Sequence, residues 1–424
     1  MMKNVFISAH ELSPILGSEC RTAWNLVNLM SRDARLTVFC AATNQMGTNN
    51  YQKHIQNYSS SLPESLKIIF VEQPRVTKFL ALINKIFFSW MGPIGLPLFY
   101  FIGVRFWEKR LFTIVKKHIK QFGPPDCIHH LNHISFREPG YLWKLPYKFI
   151  WGPVSGIQML NLKMLPKDLS FFESLLFKLR NIFNLFTRMS SRRVKLAAKK
   201  ADHIFVVTEQ DYLFFRKLNN SVSFLMDVGI NNSENMDNPE KNKKIASSRK
   251  VFFWAGRIDT LKSLDILISA IDNSAILKKY GLFDIYGDGP LMKKIKEKVL
   301  FLGIDNVTFF GDIPYLELSK RIHKYNFLIH TSIKEAGSSI VSEALSFDIP
   351  FISHNSFGMP IYLQEGMGLG IELISIDHSK FYFQNSLEKV VQNSEIERTL
   401  VSNIKMKKKQ FTWRSMAKQI IQSY

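Results

Sequence analysis

The chain alternates short apolar runs with longer segments of helical periodicity, and the alternation occurs in two series. The first series includes KNVFISA, RLTVFCAA and DHIFVVT, and the second includes KVFFWAG, GLFDIYG and NFLIHTS. Such alternation is typical of parallel strands joined by crossover helices. The polar stretch 231–249 separates the two series. The sequence therefore predicts an α/β fold with two domains.

The domain boundary is expected just before this polar stretch. The chain has 424 residues, of which 46% are hydrophobic, and this length is too great for one ordinary domain. We expect an N-terminal domain over residues 1–226 and a C-terminal domain over residues 227–411. The final segment, 412–424, has the pattern of a helix that can pack back on the first domain.

Cysteine usage and the N-terminal sequence bear on the cellular compartment. The chain has 3 cysteines and no C-x-x-C pair, which argues against a disulfide framework and against a zinc site. The first residues, MMKNVFISAH, lack the long apolar stretch of a signal peptide. These features predict a cytoplasmic protein.

One segment approaches the length of a membrane-spanning helix. Residues 86–104 carry no charge, but Gly92, Pro93, Gly95 and Pro97 interrupt them. A spanning helix tolerates such residues only where its neighbours satisfy the freed backbone groups. The favoured interpretation is a buried core segment or a surface that dips into lipid, and membrane insertion is the alternative.

The net charge of +21 is concentrated in the first half of the chain. Residues 1–226 carry a net charge of +17, whereas residues 227–424 carry +4. The segments 106–120 and 171–200 combine aromatic or leucine residues at helical spacing with Lys and Arg. This pattern fits helices that bind an anionic membrane surface, and it equally fits ordinary amphipathic helices with solvated basic faces. No nucleic-acid-binding module accompanies the charge, so nucleic acid is not an expected partner.

Two glutamates mark the strongest candidate binding site. Glu335 and Glu343 flank the start of a predicted helix and stand eight positions apart, which is about two turns. Backbone amides at a helix N-terminus favour a phosphate, because their N–H groups are free and the helix dipole is positive there. The amides at this helix start belong to Gly337, Ser338 and Ser339. One carboxylate at each edge can then hold hydroxyl groups of a sugar and a ribose.

Two cations follow an earlier strand of the second series. Arg257 and Lys262 lie in the loop that begins at Gly256. Paired cations at the carboxyl end of a strand suit a diphosphate, and the alternative is a surface loop with solvated charges. A Walker A loop is a weaker alternative, because Leu261 occupies the position of its second glycine.

Two further glycine turns follow strands. Asp288 lies between two glycines in FDIYGDGP, where the backbone can approach the base or phosphates of a ligand, although a structural turn explains it nearly as well. Gly17 lies in SPILGSE after the first strand, where a backbone can come close to a phosphate. Taken alone, that second turn is better explained as a helix N-cap.

Three histidines stand close together at the end of a predicted strand, in CIHHLNH. Adjacent His129 and His130 point to opposite faces of the strand, and no carboxylate lies at metal-ligand spacing. We therefore expect no metal site and one histidine in the binding cleft. His130 is the first choice, and His129 and His133 are the alternatives.

The motifs together resemble the family 4 glycosyltransferases of the GT-B fold. The resemblance rests on SPILGSE, HHLNHISFREP, WGPVSG, WAGRIDTLKS, YGDGP and the glutamate pair, and it extends from the first strand to the end of the helix with Glu343. It implies two Rossmann-like domains that face each other across a cleft. The first would bind the acceptor and the second the nucleotide sugar.

The resemblance also implies a role for each matched residue. Arg257 and Lys262 would bind the diphosphate, Glu343 the ribose and Glu335 the transferred sugar. Gly17 would approach the phosphate from the first domain, and the histidine region would face the sugar and the acceptor.

Two departures from the family pattern affect the loops. Ser263 follows the lysine where family members usually have glycine. Ala336, Gly337 and Ser338 stand where the family usually has Gly-aromatic-Gly.

The family further implies transfer with retention of anomeric configuration, without a metal or other cofactor. No D-x-D sequence occurs in the chain, so the usual carboxylate clamp for a metal-bridged diphosphate is missing. The expected partners are a nucleotide-diphosphate sugar, a glycan or polyprenyl-diphosphate-linked acceptor, and an anionic membrane surface. The expected setting is cell-surface polysaccharide or lipopolysaccharide synthesis at the inner face of the cell membrane. A nucleotide-sugar epimerase of the same fold and a non-catalytic basic membrane adaptor are the alternatives.

Overall fold

The structure is a computed structural model, and its described residues form two compact units. The described residues are 2–17, 19–58, 62–88, 96–231 and 249–424. Unit 1 contains Met1–Gln158, Phe186–Asp227 and Trp413–Tyr424, and unit 2 contains Met159–Leu185 and Val228–Thr412.

Unit 1 is built on a parallel sheet. Its strands are β1 (Asn4–Ala9), β2 (Arg35–Ala41), β3 (Leu66–Val71), β4 (Cys127–Asn132), β5 (Lys148–Val154), β6 (His203–Val206) and β7 (Val222–Phe224). They pair in the order β3-β2-β1-β4-β5-β6-β7. The strand order reverses between β1 and β4, so the loops that follow these two strands share one edge of the sheet.

Helices connect these strands, and their apolar stripes complete the core of unit 1. They are α1 (Glu19–Met30), α2 (Tyr51–Gln56), α3 (Arg75–Phe88), α4 (Pro97–Phe122), α6 (Arg192–Lys200) and α7 (Glu209–Arg216). A further helix, α5 (Phe171–Ser190), begins in the part of the chain assigned to unit 2 and ends in the part assigned to unit 1. In α4, Trp107, Leu111 and Val115 recur every fourth residue and are fully buried. This spacing places them on one helix face, which is why α4 packs against the sheet.

Unit 2 is built on a second parallel sheet. Its strands are β8 (Lys250–Ala255), β9 (Gly281–Tyr286), β10 (Val307–Gly311), β11 (Phe327–His330), β12 (Phe351–His354) and β13 (Gly368–Ile371). They pair in the order β10-β9-β8-β11-β12-β13. This order also reverses at its centre, between β8 and β11.

The helices of unit 2 alternate with its strands. They are α8 (Leu264–Asp272), α9 (Ala275–Tyr280), α10 (Met292–Phe301), α11 (Tyr315–Ile322), α12 (Ser339–Ser346), α13 (Pro360–Leu363), α14 (Ile376–Gln392) and α15 (Ser394–Lys407). Helix α8 is apolar on nearly all sides, and Ile266, Leu267 and Ile268 are fully buried. Such a helix must be covered on more than one face, and α14 and α9 both contact it.

The segment 159–185 belongs to unit 2, although it lies within the range 1–226 expected for the N-terminal domain. Leu160, Met164 and Leu165 join the core of unit 2. The side-chain amide of Asn161 donates to the carbonyl oxygens of Leu373 at 2.9 Å and Ile374 at 3.0 Å. Burial of these apolar side chains, rather than chain continuity, decides to which unit the segment belongs.

The last helix, α16 (Trp413–Gln422), returns to unit 1 and packs against α1. The terminal residue Tyr424 is buried there. Its hydroxyl donates to His129 Nδ1 at 2.7 Å, and Lys148 Nζ donates to its backbone oxygen at 2.9 Å. The C-terminal segment is therefore part of the core of unit 1.

Within the described part of the chain, no helix combines the length and the apolar character needed to cross a membrane. The segment 86–104 is divided between the end of α3 and the start of α4. Its residues 89–95 lie outside the described residues.

Two parallel sheets with alternating helices confirm the predicted α/β fold with two Rossmann-like units. In both units the central reversal of strand order creates a crevice at the carboxyl ends of the strands, which is where ligands bind in sheets of this kind.

Candidate functional site

Three of the predicted donor-binding motifs lie at one edge of the sheet in unit 2. Arg257 and Lys262 follow β8, Asp288 follows β9, and Glu335 follows β11. Strand β8 pairs with β9 on one side and with β11 on the other. Because these strands are parallel neighbours, their carboxyl-end loops converge.

A pocket of about 410 Å³ lies beside the loops that follow β8, β9 and β10. Its lining combines glycine backbone, an aromatic ring, apolar side chains and three charged groups. This composition and size suit a small organic ligand. The lining residues are Ala255, Gly256, Arg257, Tyr286, Gly287, Asp288, Asp312, Ile313 and Leu318.

Close backbone contacts hold two of these loops together. Gly287 has φ +119°, and a Cβ atom there would lie 1.9 Å from the carbonyl oxygen of Gly256. Only glycine allows this approach. The backbone N–H of Gly256 donates to the Tyr286 carbonyl at 3.0 Å, and that of Ile258 donates to the Asp288 carbonyl at 2.9 Å. The positions of Arg257 and Asp288 are thus fixed by backbone geometry.

The loop with the two cations is organised by Asp259. One carboxylate oxygen, Oδ1, accepts from the backbone N–H groups of Leu261 and Lys262, both at 3.0 Å. The other, Oδ2, lies 3.7 Å from Nε of Arg257. Aspartate commonly stabilises a turn in this way, by accepting from backbone groups two and three residues ahead. The turn places Arg257 and Lys262 on either side of one carboxylate.

Ser263 occupies the position where the family usually has glycine, and it adopts a left-handed backbone with φ +47°. This conformation favours glycine, which gives a physical reason for the family preference. The Ser263 hydroxyl donates to the carbonyl oxygen of Thr260 at 2.8 Å, and its backbone N–H donates to the Asp259 carbonyl at 3.2 Å. These bonds hold the left-handed turn despite the substitution.

Glu335 is the centre of a charged chain. Lys262 Nζ donates to Glu335 Oε1 at 2.6 Å, and His330 Nε2 donates to Glu335 Oε2 at 2.7 Å. Burial opposes ionisation of Glu335, but the charge of Lys262 and the contact with His330 outweigh it and lower the pKa of Glu335 to about 2. Glu335 is therefore a carboxylate at every physiological pH. Sequence reasoning missed His330, although its position at the end of β11 is the signal that could have found it.

The helix after Glu335 presents the second glutamate. Helix α12 begins at Ser339, and Ser338 precedes it with an extended backbone and no side-chain cap. Glu343 lies in the second turn and is 7% exposed. Gly337 is half-buried, Ser338 buried and Ser339 exposed. The two glutamates and the amides between them therefore occupy a continuous stretch at one helix start.

Gly17 lies in unit 1, in the loop between β1 and α1. It is exposed, and nothing lies within 4 Å of the position that a Cβ atom would take. Packing within unit 1 therefore leaves the space beside the Gly17 Cα atom unfilled.

His129 and His130 are enclosed in β4. His130 is 1% exposed, and its Nε2 donates to the carbonyl oxygen of Glu138 at 3.0 Å. His129 is fully buried between the Tyr424 hydroxyl and the Gly152 carbonyl. Burial lowers the pKa of His130 to about 3 and that of His129 to about 4, so both rings are neutral. Both are bonded within the core of unit 1.

His133 lies beyond the end of β4, beside the residues that follow β1. Its ring centroid is 4.5 Å from that of His10. His10, Glu11 and His133 each offer one metal-ligand atom, and these atoms lie within 4.8 Å of one another. The sequence interpretation found no carboxylate at ligand spacing, because Glu11 is distant from His133 along the chain. Pairing of β1 with β4 brings Glu11 and His133 together. The two polar residues directly after β1, His10 and Glu11, were the sequence feature that could have indicated this cluster.

A protein family and one related protein match parts of this chain in sequence. Residues 235–406 match the family described as glycosyl transferases group 1. An uncharacterized glycosyltransferase of Methanocaldococcus jannaschii is 24% identical over 160 residues. That match covers 38% of this chain and 43% of the relative, which is less than half the length of either.

Solved structures match nearly the whole chain at low sequence identity. Sucrose-phosphate synthase from Thermosynechococcus elongatus has a TM-score of 0.64 at 14% identity and covers 99% of this chain and 98% of its own. Anabaena HepE in complex with UDP has a TM-score of 0.64 at 13% identity and covers 99% of both chains. WaaG, a glycosyltransferase involved in lipopolysaccharide biosynthesis, has a TM-score of 0.59 at 15% identity and covers 98% of both chains. The shared architecture is the GT-B fold.

The substitution Glu335→Gln is expected to destabilise the protein more at about pH 7 than at about pH 4. The pKa of folded Glu335, about 2, lies below the ordinary value of 4.5. Its ionisation therefore contributes stability above the ordinary pKa, and this contribution is lost as the pH falls towards 2. The difference in free energy of unfolding between wild type and E335Q should shrink by roughly 1 kcal/mol between about pH 7 and about pH 4, as measured by urea denaturation.

Glu395→Gln is the control, because Glu395 forms an exposed pair with Arg398. This control should show little pH-dependent difference. A difference for E335Q that is the same at both pH values would contradict the strong ionisation of Glu335.

Proposed function

We propose that the chain transfers a sugar from a nucleotide-diphosphate donor to a glycan or lipid-linked acceptor, because residues 235–406 match the family described as glycosyl transferases group 1. The observation that carries this proposal is the charged chain of Lys262, Glu335 and His330 at the sheet edge that also holds Arg257. HepE, which shares the fold, was solved with UDP-glucose. A nucleotide sugar is therefore the donor that we propose for this chain.

The pocket in unit 2 suits the nucleotide part of the donor. Its volume of about 410 Å³ and its glycine backbone allow close approach of a base or ribose. Arg257 lines the pocket and is 44% exposed, so its guanidinium can turn to a diphosphate oxygen. Asp288 lines the same pocket, and its carboxylate can accept from the base or ribose.

Helix α12 would complete the donor site. The amides of Gly337, Ser338 and Ser339 lie at its start, where the positive end of the helix dipole favours phosphate. Glu343, one turn further into the helix, would accept from the ribose hydroxyls. Gly17 of unit 1 is proposed to approach the phosphate through its open backbone.

Lys262 would stabilise the departing diphosphate. Negative charge accumulates on the leaving group as the sugar becomes oxocarbenium-like, and a positioned cation favours that charge. A lysine ammonium has three N–H donors. Lys262 can therefore keep one bond to Glu335 and direct another to phosphate. Neutralisation by Arg257, Lys262 and backbone amides is consistent with the proposed transfer without a metal.

Glu335 would hold the transferred sugar. Because it is ionised, it accepts hydrogen bonds from sugar hydroxyls rather than acting as an acid. Its bonds to Lys262 and His330 fix the orientation of the carboxylate before the donor arrives. We propose transfer with retention, in which the acceptor attacks from the face that the diphosphate leaves.

His130, the histidine of β4 that the sequence favours, would position the segment around Glu138. The His130 ring donates to the backbone carbonyl of Glu138. The Glu138 side-chain carboxylate in turn pairs with Arg105 Nε at 2.8 Å and with Arg193. Arg193 also donates to the Arg137 carbonyl at 3.0 Å. His130 thus links β4 to the segment that follows it, which belongs to the proposed acceptor-binding unit.

Two helices present apolar side chains to solvent beside basic residues. In α3, Phe79 is 62% and Ile86 61% exposed, and Lys78 and Lys85 lie on the same helix. In α5 the exposed apolar residues include Phe171, Leu179, Ile182, Phe186 and Met189. Such faces bind the headgroup region of an anionic membrane. We propose that they hold the protein at the inner face of the cell membrane, where a polyprenyl-diphosphate-linked acceptor for polysaccharide or lipopolysaccharide synthesis is available.

Lys262→Ala is expected to reduce turnover by about a hundredfold or more, because removal of one electrostatic contact to the leaving group costs on the order of 3 kcal/mol. The assay offers a panel of nucleotide sugars with polyprenyl-diphosphate acceptors and determines the product's anomeric configuration by NMR. Lys278→Ala is the matched control, since Lys278 pairs with Asp272 elsewhere in unit 2. It should retain wild-type turnover.

An unchanged rate for K262A, with the fold intact by circular dichroism, would refute the role of Lys262. Isomerised sugar in the absence of acceptor would instead identify an epimerase. A chain that binds no nucleoside diphosphate would fit a non-catalytic membrane adaptor.

The double substitution Phe79→Ser and Ile86→Ser is expected to reduce binding to anionic vesicles, because it removes two exposed apolar side chains from α3. Co-sedimentation with vesicles of phosphatidylglycerol and phosphatidylcholine measures the bound fraction. Leu300→Ser with Phe301→Ser is the control, because these residues are 82% and 89% exposed at the end of α10 in unit 2. Wild-type binding to phosphatidylcholine alone that equals binding to the anionic mixture would contradict the membrane proposal.

A further inference from the structure

The polar cluster of His10, Glu11 and His133 lies in unit 1, where the proposed donor chemistry makes no use of it. His10 and Glu11 follow β1, and His133 follows β4. His10 is 1% and His133 4% exposed. Two imidazole rings and a carboxylate are thus gathered at the edge of the sheet where the strand order reverses.

Each ring has one nitrogen near a polar group and one nitrogen without a hydrogen-bond partner among the described residues. His133 Nδ1 lies 3.7 Å from Glu19 Oε2, and His10 Nε2 lies 3.2 Å from the side-chain nitrogen of Gln73. The remaining atoms, His133 Nε2 and His10 Nδ1, are buried without a hydrogen-bond partner among the described residues. Buried polar atoms are normally paired, so two such nitrogens beside one carboxylate indicate a missing partner.

We propose that His10, Glu11 and His133 bind a divalent transition-metal ion, with Zn²⁺ as the best match. Two imidazole nitrogens and one carboxylate oxygen form a ligand set that suits zinc and its transition-metal neighbours. Mg²⁺ and Ca²⁺ prefer oxygen ligands throughout, so they suit this set poorly. The three ligand atoms lie within 4.8 Å of one another. Zinc bonds of about 2.0–2.2 Å bring ligand atoms to roughly 3.4 Å, so small side-chain rotations suffice.

The surrounding side chains support this ligand set. Glu19 Oε2 lies 3.7 Å from His133 Nδ1, so a small movement on metal binding would give the carboxylate–histidine hydrogen bond that orients a metal-binding ring. The Tyr100 hydroxyl donates to Glu11 Oε1 at 3.4 Å, and Cys20 Sγ donates to Glu11 Oε2 at 3.6 Å. These contacts orient the carboxylate while leaving it further acceptor capacity.

His10 requires one adjustment. Metal binding at Nδ1 places the ring proton on Nε2, which then needs an acceptor. Gln73 Oε1 is buried without a partner in the described part of the chain, and a turn of the amide brings it to Nε2. This turn gives up the bond from the Gln73 amide to the Thr43 carbonyl. The ion would join the segments after β1 and β4.

Zinc binding by untagged protein, stripped with a chelator and dialysed, tests the proposal. We expect about one Zn²⁺ per chain by elemental analysis and by isothermal titration, and a higher Tm with zinc than without it. Glu11→Gln and His133→Gln should each weaken binding by about tenfold or more, because each removes a ligand. His118→Gln is the control, since His118 lies in α4 outside the cluster, and it should bind zinc as wild type does.

Two results would overturn the proposal. One is a wild-type chain that binds no zinc after stripping. The other is zinc affinity in E11Q and H133Q equal to that of wild type, which would place the ion elsewhere. E11Q preserves the size of the side chain, so it keeps the test decisive if H133Q fails to fold. Because no nucleotide sugar is present, the outcome is independent of the proposed transferase activity.

Discussion

The contact between Lys262 and Glu335 is the interaction on which the proposed chemistry of unit 2 depends. It joins the loops after two neighbouring strands, β8 and β11, at 2.6 Å, and His330 holds the other carboxylate oxygen. A half-buried carboxylate would be costly without such partners, and these partners instead make it fully ionised. The same contact holds a cation beside Glu335, in the segment that leads into α12, where we propose that phosphate binds. One ion pair therefore positions both the carboxylate that we propose binds the sugar and the cation that we propose stabilises the leaving group.

Much of the fold was predictable because parallel sheets repeat a local pattern. Apolar runs and periodic segments predicted both units, and Arg257, Lys262 and Glu335 stand at strand ends, where sequence reasoning expects ligand-binding groups. Only the family resemblance predicted that these three side chains lie in one binding site. Ser263 departs from the glycine of the family pattern, yet it adopts the left-handed backbone that this glycine implies. The residue type alone therefore did not predict this backbone conformation.

The rest depended on contacts between distant parts of the chain. Segment 159–185 joins unit 2 because its apolar side chains fit that core, and nothing in its own periodicity reveals this. His330 and the cluster of His10, Glu11 and His133 depend on which strands are neighbours. Local sequence does not encode strand order. The burial of His130 also depends on strand order. Strand β4 lies next to β1 in the interior of the sheet, and all of its residues are buried.

The central claim is that Arg257 and Lys262 bind the diphosphate of a nucleotide sugar. A crystal structure of the chain with uridine diphosphate tests it most directly, because atomic positions report the contact itself. We expect phosphate oxygens within hydrogen-bond distance of Lys262 Nζ and the Arg257 guanidinium, with the nucleoside in the pocket lined by Tyr286 and Asp288. A diphosphate bound elsewhere, with Lys262 still bonded to Glu335 alone, would contradict it.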